Sequence, residues 1–400
     1  MVEPLIPPVR GFELDEYERR TELLQQRMAE LQVDVAFFTT EPEFRYFSGF
    51  KSQFWESPTR PWFLVVPSHG LPVAVIPEIG VAGLESTWIE DIRSWSSPCP
   101  EDDGVSLLSD TLQEFSKQNH RIGALLGPES HLRMPASNFA VLQQNLSSYE
   151  MVDIVAAVRD IRSIKSEAEI SKIRFSCEVA AASFAYLKEH LRIGMTERQA
   201  CKAMQQEMLR LGADACPFLI SASGQGGYDT NLLLGPTDRQ LNSGDVLFID
   251  TGATFDGYFC DFDRNFSFDD GSGDGAGVIA HNAYEAVYNA TEAGLEIAGP
   301  GRTTGQVWQA MWSVLEQAGA QGNDIGRMGH GLGMQLTEWP SNVPDGDVIL
   351  KPGMILTLEP GMTFGLGRMM LHEENILITD NGCELLHQRA WSTMPVVGQL

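Results

Sequence analysis

Asp250, Asp261, His330, Glu359 and Glu373 follow one another through the C-terminal half of this 400-residue chain. Four carboxylates and one imidazole form a hard, oxygen-rich donor set, suited to holding two divalent cations side by side with carboxylates bridging them. Paired cations of this kind lower the pKa of a shared water and polarise a carbonyl, so the chemistry expected is metal-assisted hydrolysis.

The local contexts differ in how much they say. Asp250 closes the apolar run VLFID, and Asp261 stands eleven residues later, across a glycine-containing turn. Two adjacent antiparallel strands over GDVLFIDTGATFDGYFCDFDRNFSF would bring both carboxylates to one face. Taken singly, an aspartate at a strand end is most often a turn former. His330 lies in MGHGLGM between Gly329 and Gly331, which lets the backbone approach a ligand closely, although the pattern also suits an ordinary tight turn. Glu359 ends the apolar strand of LKPGMILTLEPGM just before Pro360. A charge buried there without a partner would be costly, so a cation is expected beside it. Glu373 and Glu374 precede the apolar NILIT; alternation puts 373 and 375 on one face and 374 on the other, so only one of the two glutamates faces inward and the other is the outward alternative.

The elements that must position these groups divide the chain in two. An amphipathic pattern from about Leu14 to Leu31 precedes the strand-like VDVAFFTT and then EFRYFSGF, and PWFLVVP, LPVAVIP and IGALLG are short apolar runs between prolines and glycines. They suit a mixed sheet covered by helices, a first domain spanning 1–155. The second domain, 156–400, opens with a long helix announced by Ser166 and Glu169 as a capping box; Thr196 and Gln199 announce another, ending at Gly212. Helical spacing recurs over 278–296 and 303–319, strands are expected around 355 and 375, and GSGDGAG at 271–277 reads as a flexible turn.

Composition is that of a folded protein, 43% hydrophobic, with no apolar run near the ~18 residues that span a bilayer. The opening MVEPLIPPVRGFELDEYERR lacks the regions of a secretory signal, and a cytoplasmic location is expected. Cys99, Cys177, Cys201, Cys216, Cys260 and Cys383 are scattered without zinc-site or disulfide-scaffold spacing. A formal net charge of −26 argues against nucleic acid or an anionic membrane as partner, because the phosphate attraction would be reversed.

Together the blocks resemble the "pita-bread" metallopeptidase superfamily of methionine aminopeptidases, aminopeptidase P, prolidase and creatinase. D-x-G, Y-x-x-D-x-x-R, G-H-G-L-G, L-x-P-G-M-x-x-x-x-E-P-G and E-x-N-I-x-I-T occur in that order over roughly residues 158–395. The R-S-x-K-S-x-x-E-I helix start and an N-terminal domain of about 155 residues are similar to the aminopeptidase P, prolidase and creatinase branch. The resemblance implies an α+β protein: a C-terminal pita-bread (creatinase/aminopeptidase) fold with a smaller α/β creatinase-like N-terminal domain. It also implies that Asp250 chelates the first metal, Asp261 and Glu373 bridge, His330 and Glu359 complete the second site, and Glu359 serves as general base and later proton donor. The resemblance selects Glu373 over Glu374.

The chain departs from that pattern at two histidines that usually contact substrate. Their places hold Leu233, in NLLLGPTDR, and Thr337, in GHGLGMQLTE. Such a loss removes donors that stabilise the tetrahedral intermediate, often worth ~10²-fold each. Nearby groups that would contact substrate instead are Tyr228, Asp229, Thr337 itself, Glu338 and His372, although alternation turns His372 away from the metals and Glu338 also suits a chain turn. In KSQFWESPTRPWF, Trp55 and Arg60 suit a small substrate with apolar and anionic parts, whereas Trp62 and Phe63 suit the core of the next strand.

Three functions follow. The first is a dinuclear metal hydrolase of a C–N bond in an Xaa-Pro dipeptide or N-terminal peptide. The second is a non-peptidase of the same fold acting on an osmolyte-like molecule, similar to ectoine hydrolases, creatinase or dimethylsulfoniopropionate lyases. The third is a catalytically silent binding module, which usually loses ligands that this chain retains. Family habit makes Mn²⁺ the first expectation, with Fe²⁺, Co²⁺ or Zn²⁺ accepted by the same donors. The resemblance also implies a homodimer.

Overall fold

The computed structural model describes residues 5–57, 60–229, 235–269, 271, 273, 275–321 and 326–398. Its contacts divide between Val9–Arg162 and a second unit of Met1–Pro8 with Ser163–Leu400. Residues 156–162, assigned to the second domain on sequence, are grouped with the first unit.

In the first unit, helix α1 (Leu14–Glu30) buries Tyr17, Arg20, Thr21, Leu24 and Met28, the one-sided spacing of a 3.6-residue period. Strand β1 (Val35–Phe38) leads into α2 (Glu41–Ser48), so EFRYFS is helical, and α2 stops at Gly49 in the left-handed conformation with φ 76°. There follow β2 (Phe63–Pro67), β3 (Val73–Pro77), α3 (Val81–Leu84), β4 (Asp91–Trp95), α4 (Val105–Phe115), β5 (Arg121–Ala124), α5 (Ala136–Asn145), β6 (Glu150–Asp153) and α6 (Val155–Ser163). The sheet order is β4-β3-β2-β1-β5-β6; β1, β2 and β3 pair antiparallel, and β4, β5 and β6 join by parallel pairing. Val35, Phe37, Phe63, Val65, Val73, Val75 and Ile122 on one face pack under Leu108, Leu112 and Leu142 of the helices. The mixed, helix-covered sheet expected from the apolar runs is present.

The second unit begins with α7 (Glu167–His190) and α8 (Glu197–Arg210), each opened by a full capping box, Ser166 with Glu169 and Thr196 with Gln199. Strands β7 (Ala215–Gln225), β8 (Asp245–Phe255), β9 (Tyr258–Phe259) and β10 (Phe262–Phe268) follow, then α9 (Val278–Ile297) and α10 (Thr304–Gln317). The remainder is β11 (His330–Gly331), β12 (Glu338–Ser341), β13 (Ile355–Leu358), β14 (Gly361–Phe364), β15 (Arg368–Leu371), β16 (Glu374–Thr379), β17 (Gly382–Leu385) and β18 (Val396–Val397). One sheet runs β18-β10-β8-β7 with β9 on β8, a second runs β12-β11-β13-β16-β17, and β14 with β15 forms a hairpin. Helices α9 and α10 bury Tyr284, Val287, Val307, Met311 and Leu315 against Leu356, Leu358, Met370, Ile376 and Ile378, so the core lies between the helix pair and the strands that carry the candidate ligands. Residues 272 and 274 of the glycine-rich 271–277 segment lie outside the described residues. Among the described residues no helix is long and apolar enough to cross a membrane.

Candidate active site

The two sheets of the second unit meet where β10 approaches β16, and the candidate ligands line that meeting place. Antiparallel pairing sets Asp263 opposite Asp250, with Asp261 two residues before Asp263 at the entry to β10, so the hairpin does deliver these aspartates to one face. His330 sits on the two-residue strand β11, between β12 and β13. Its glycine neighbours are required by the sheet itself: a Cβ on Gly329 would run into the Thr357 carbonyl, and one on Gly331 into the Trp339 carbonyl. The glycines therefore let backbone approach backbone, where close approach to a ligand had been expected.

One potential ligand atom from each of Asp261, His330 and Glu373 lies within 4.8 Å of the others, all three residues being buried. His330 Nδ1 is 2.8 Å from the Gly331 carbonyl, which holds the ring proton on that nitrogen and leaves the Nε2 lone pair facing inward. Nε2 stands 3.4 Å from Asp261 Oδ2. Two lone pairs so placed repel unless a proton or a cation lies between them. Four further atoms, Asp250 Oδ1, Asp261 Oδ1, Glu359 Oε1 and Glu373 Oε1, are enclosed without a hydrogen-bond donor. Burial, and then the neighbouring carboxylates, push the Asp250, Asp261 and Glu373 carboxyls well above the usual range; for Asp250 the leading neighbour is Asp261, for Asp261 it is Glu359, and for Glu373 it is Asp261. Crowded, donorless oxygens around one imidazole fit divalent cations by their chemistry. Arg327 Nε lies 3.3 Å from Glu359 Oε1 and gives that carboxylate a cationic neighbour on the chain.

Behind the ligands stands a frame that sequence reading did not assign. Asn375 Oδ1 accepts from the Asp261 N–H at 3.0 Å and from the Cys177 thiol at 3.3 Å, and its Nδ2 donates to the Asp261 carbonyl. The signal was present: Asn375 shares a strand face with Glu373, and the block E-x-N-I contains it. Glu374 was expected to point outward, but it is fully enclosed on the opposite face. It accepts from Arg264 Nη2 at 3.0 Å, Arg389 Nη1 at 2.6 Å and the Ala390 N–H at 2.9 Å, with His387 Nε2 at 3.3 Å. Burial opposes the charge, yet Arg264, His387, His372 and Arg389 together hold the Glu374 carboxyl far below the usual carboxylate range. Arg264 Nη1 also donates to the Glu373 carbonyl at 3.1 Å, which ties this network to a candidate ligand.

The residues expected to contact substrate fall in different places. His372 is buried, with Nδ1 3.0 Å from the Thr291 hydroxyl and Nε2 3.2 Å from Arg389 Nη1, so the network occupies both ring nitrogens and the substrate role is withdrawn. Tyr228 is buried too; it stacks on Phe248 with centroids 4.8 Å apart and its hydroxyl accepts from the Leu371 N–H at 2.8 Å, a packing role in place of the substrate contact expected. Glu338 accepts from the Gln335 N–H at 3.1 Å and pairs with Lys165 Nζ at 3.3 Å, as a turn-holding residue does. Asp229 and Thr337 are exposed, and Leu233 lies outside the described residues. In the first unit, Trp55 packs 5.4 Å from Phe44 and 5.8 Å from Trp62, under the Arg133 guanidinium at 5.2 Å, while Arg60 is half-buried with φ 65°. Trp62 belongs to the core, 2% exposed.

Comparison with known proteins bears on the same residues. The model of metallopeptidase family M24 matches residues 171–380, more than half of the chain and a span that includes all the candidate ligands. The chain belongs to metallopeptidase family M24. The creatinase/prolidase N-terminal domain matches residues 20–164 of this M24 chain. A probable dipeptidase PepE of Mycobacterium tuberculosis is 28% identical over 379 residues, covering 93% of this chain and 95% of the relative. An uncharacterized peptidase of Staphylococcus aureus is 27% identical over 364 residues, covering 89% and 95% respectively. Among solved structures, dipeptidase PepE from Mycobacterium ulcerans superposes with a TM-score of 0.83 at 26% identity, over 97% of this chain and 99% of that one. A prolidase from Thermococcus sibiricus gives 0.83 at 24% identity, over 95% and 99%, a likeness of fold. The M24 chain thus has the fold expected from its motifs, a pita-bread half with a creatinase-like N-terminal domain.

Proposed function

We propose that the protein is a dinuclear metal peptidase that cleaves the C–N bond of short peptides, with Xaa-Pro dipeptides or Xaa-Pro N-termini as its first substrate class. The observation that carries this reading is the donor set: His330 Nε2 aimed at Asp261 Oδ2, surrounded by the donorless oxygens of Asp250, Asp261, Glu359 and Glu373. Asp250, Asp261, His330, Glu359 and Glu373 would hold two divalent cations, Mn²⁺ first and Fe²⁺, Co²⁺ or Zn²⁺ as alternatives. When bound, the cations activate water and stabilise negative charge on the carbonyl oxygen. Glu359 takes the proton from the attacking water and returns it to the leaving amine as the C–N bond breaks. Arg327, with Nε 3.3 Å from Glu359 Oε1, orients that carboxylate toward the attacking water. Asn375 and Arg264 hold Asp261 and Glu373 by their backbones, so these carboxylates do not have to be ordered when cation or substrate arrives.

A second reading, hydrolysis of a small osmolyte-like molecule, is favoured by Thr337, an exposed non-ionisable residue where such peptidases usually place a histidine. The deciding experiment assays Xaa-Pro dipeptides, other dipeptides and cyclic or betaine-like osmolytes with Mn²⁺, alongside metal content per chain. Turnover of a prolyl dipeptide with two equivalents of metal supports the first reading. No turnover of any peptide with the metals retained transfers the function to the second, and a protein that binds no divalent metal removes both. A homodimer in a neutral, chelator-free buffer is part of the reading, and light scattering checks it.

A further inference from the structure

A buried acid beside the candidate ligands has no part in the proposed mechanism. Asp263 is 1% exposed, and among the described residues its carboxylate has no hydrogen-bond or ion-pair partner; its Oδ1 is enclosed without a donor. It does not belong to the five ligands, but register places it directly opposite Asp250, and it follows Asp261 by one strand repeat, on the same face. Two residues further along that face Asn265 also presents a buried Oδ1 without a donor, its Nδ2 being committed to the Leu371 carbonyl at 2.7 Å. A line of oxygen acceptors therefore continues from the candidate ligands along β10.

The neighbouring cation does not resolve this. The Arg264 guanidinium is directed to the Asp263 and Glu373 carbonyls and to the Glu374 carboxylate, so it makes no bond to the Asp263 side chain. Its positive charge is shared with Glu374, which is already ringed by Arg389, His372 and His387. A buried, unpartnered carboxylate is costly and persists where something outside the chain compensates it. Beside a cation-binding pocket, that something is the cation.

We propose that Asp263 is a further cation-binding carboxylate of this centre, facing Asp250 across the β8–β10 ladder, and that it raises the affinity of the pocket for divalent cations. This rests on the metal-centre reading above. Asp263 acts through its charge on the ions held by Asp250 and Asp261, and it explains why a chain would retain an acid in a position that no hydrogen bond rewards.

The test titrates the metal-free full chain with Mn²⁺ alone by calorimetry and records melting with and without chelator. Asp263→Asn should bind Mn²⁺ at least tenfold more weakly, which is about 1.4 kcal/mol, and in chelator it should melt higher than the parent because a buried charge has been removed. Asp263→Glu keeps the charge and should stay within a few-fold of the parent. Affinity of the asparagine variant within twofold of the parent overturns the proposal, as does an equal loss in both variants. Asp263→Ser repeats the measurement if the asparagine variant does not fold. A parent chain that binds no Mn²⁺ would sink the metal-centre reading itself, an outcome distinct from a parent and variant that bind alike.

Discussion

Asn375 grips the Asp261 peptide from both sides, accepting from its N–H at 3.0 Å and donating to its carbonyl. The amide belongs to the strand that follows Glu373, so one side chain fixes the spacing between two expected bridging carboxylates on different sheets. Asn375→Asp would turn the donating arm into a repelling one. Mn²⁺ affinity should fall ~10–100-fold, as for other groups that orient metal ligands, and stability by about 2 kcal/mol for two buried bonds. Calorimetry with Mn²⁺ and urea denaturation of the chelated protein read the two effects separately.

Metal removal should expose a pH dependence of definite sign. The Asp250, Asp261 and Glu373 carboxyls are raised in the folded, metal-free chain, so that state binds more protons than the unfolded one. Their favourable contribution is present below the unfolded carboxylate range near ~4 and is lost as pH rises through the folded values. Cations reverse this by favouring the ionised forms. The melting-temperature gain produced by Mn²⁺ should grow from pH 5 to pH 8, with protons released on binding; a gain that shrinks over that interval would contradict the assignment of these carboxylates to the metal.

Glu374 is the hub of its network, and Glu374→Gln should leave Arg264 buried with an uncompensated charge and Arg389 with Glu292 as its remaining carboxylate partner. The expected loss is roughly 3–5 kcal/mol in chelator, opposite in sign to the change at Asp263. His372, held by Thr291 and Arg389, belongs to the same frame. His372→Asn should lower stability while KM for any substrate turned over stays within about twofold, since the ring is enclosed; a tenfold rise in KM without loss of stability would restore it to the substrate.

Glu359→Gln should reduce kcat by ~10²–10⁴-fold, the range for loss of a general base. Arg327→Ala should lower kcat less, by roughly tenfold, because it removes only the cationic neighbour that orients the carboxylate. Steady-state kinetics across pH 5–9 for both variants separates proton transfer from positioning.

Much of the frame was legible because it is local. Capping boxes at Ser166 and Thr196, the turn between Asp250 and Asp261, and glycines around His330 are short-range chemistry that a sequence displays directly. The candidate ligands stood out because the blocks that carry them occur jointly and in the order of the family they resemble. Alternation places Asn375 on the face of Glu373, but its bonds to Asp261, like the partners of Arg264 and Asp263, lie on distant or facing strands that spacing does not report. Glu374 shows the limit most clearly: alternation separated it correctly from Glu373, but the far side of that strand is a sealed ionic network rather than solvent. His372 and Tyr228 were read as site residues from proximity along the chain, whereas the strand directs the one and the Phe248 ring the other into packing.

The five expected ligands come from two different sheets, Asp250 and Asp261 from one and His330, Glu359 and Glu373 from the other or its margins. Ions seated among them would act as rivets through the seam, joining segments that lie more than a hundred positions apart. Cross-links closing such long stretches of chain slow the escape from the native state as well as favouring it. The atoms proposed to carry the hydrolysis would then also govern how long each molecule survives, so that loss of the ion would cost the protein along with its activity.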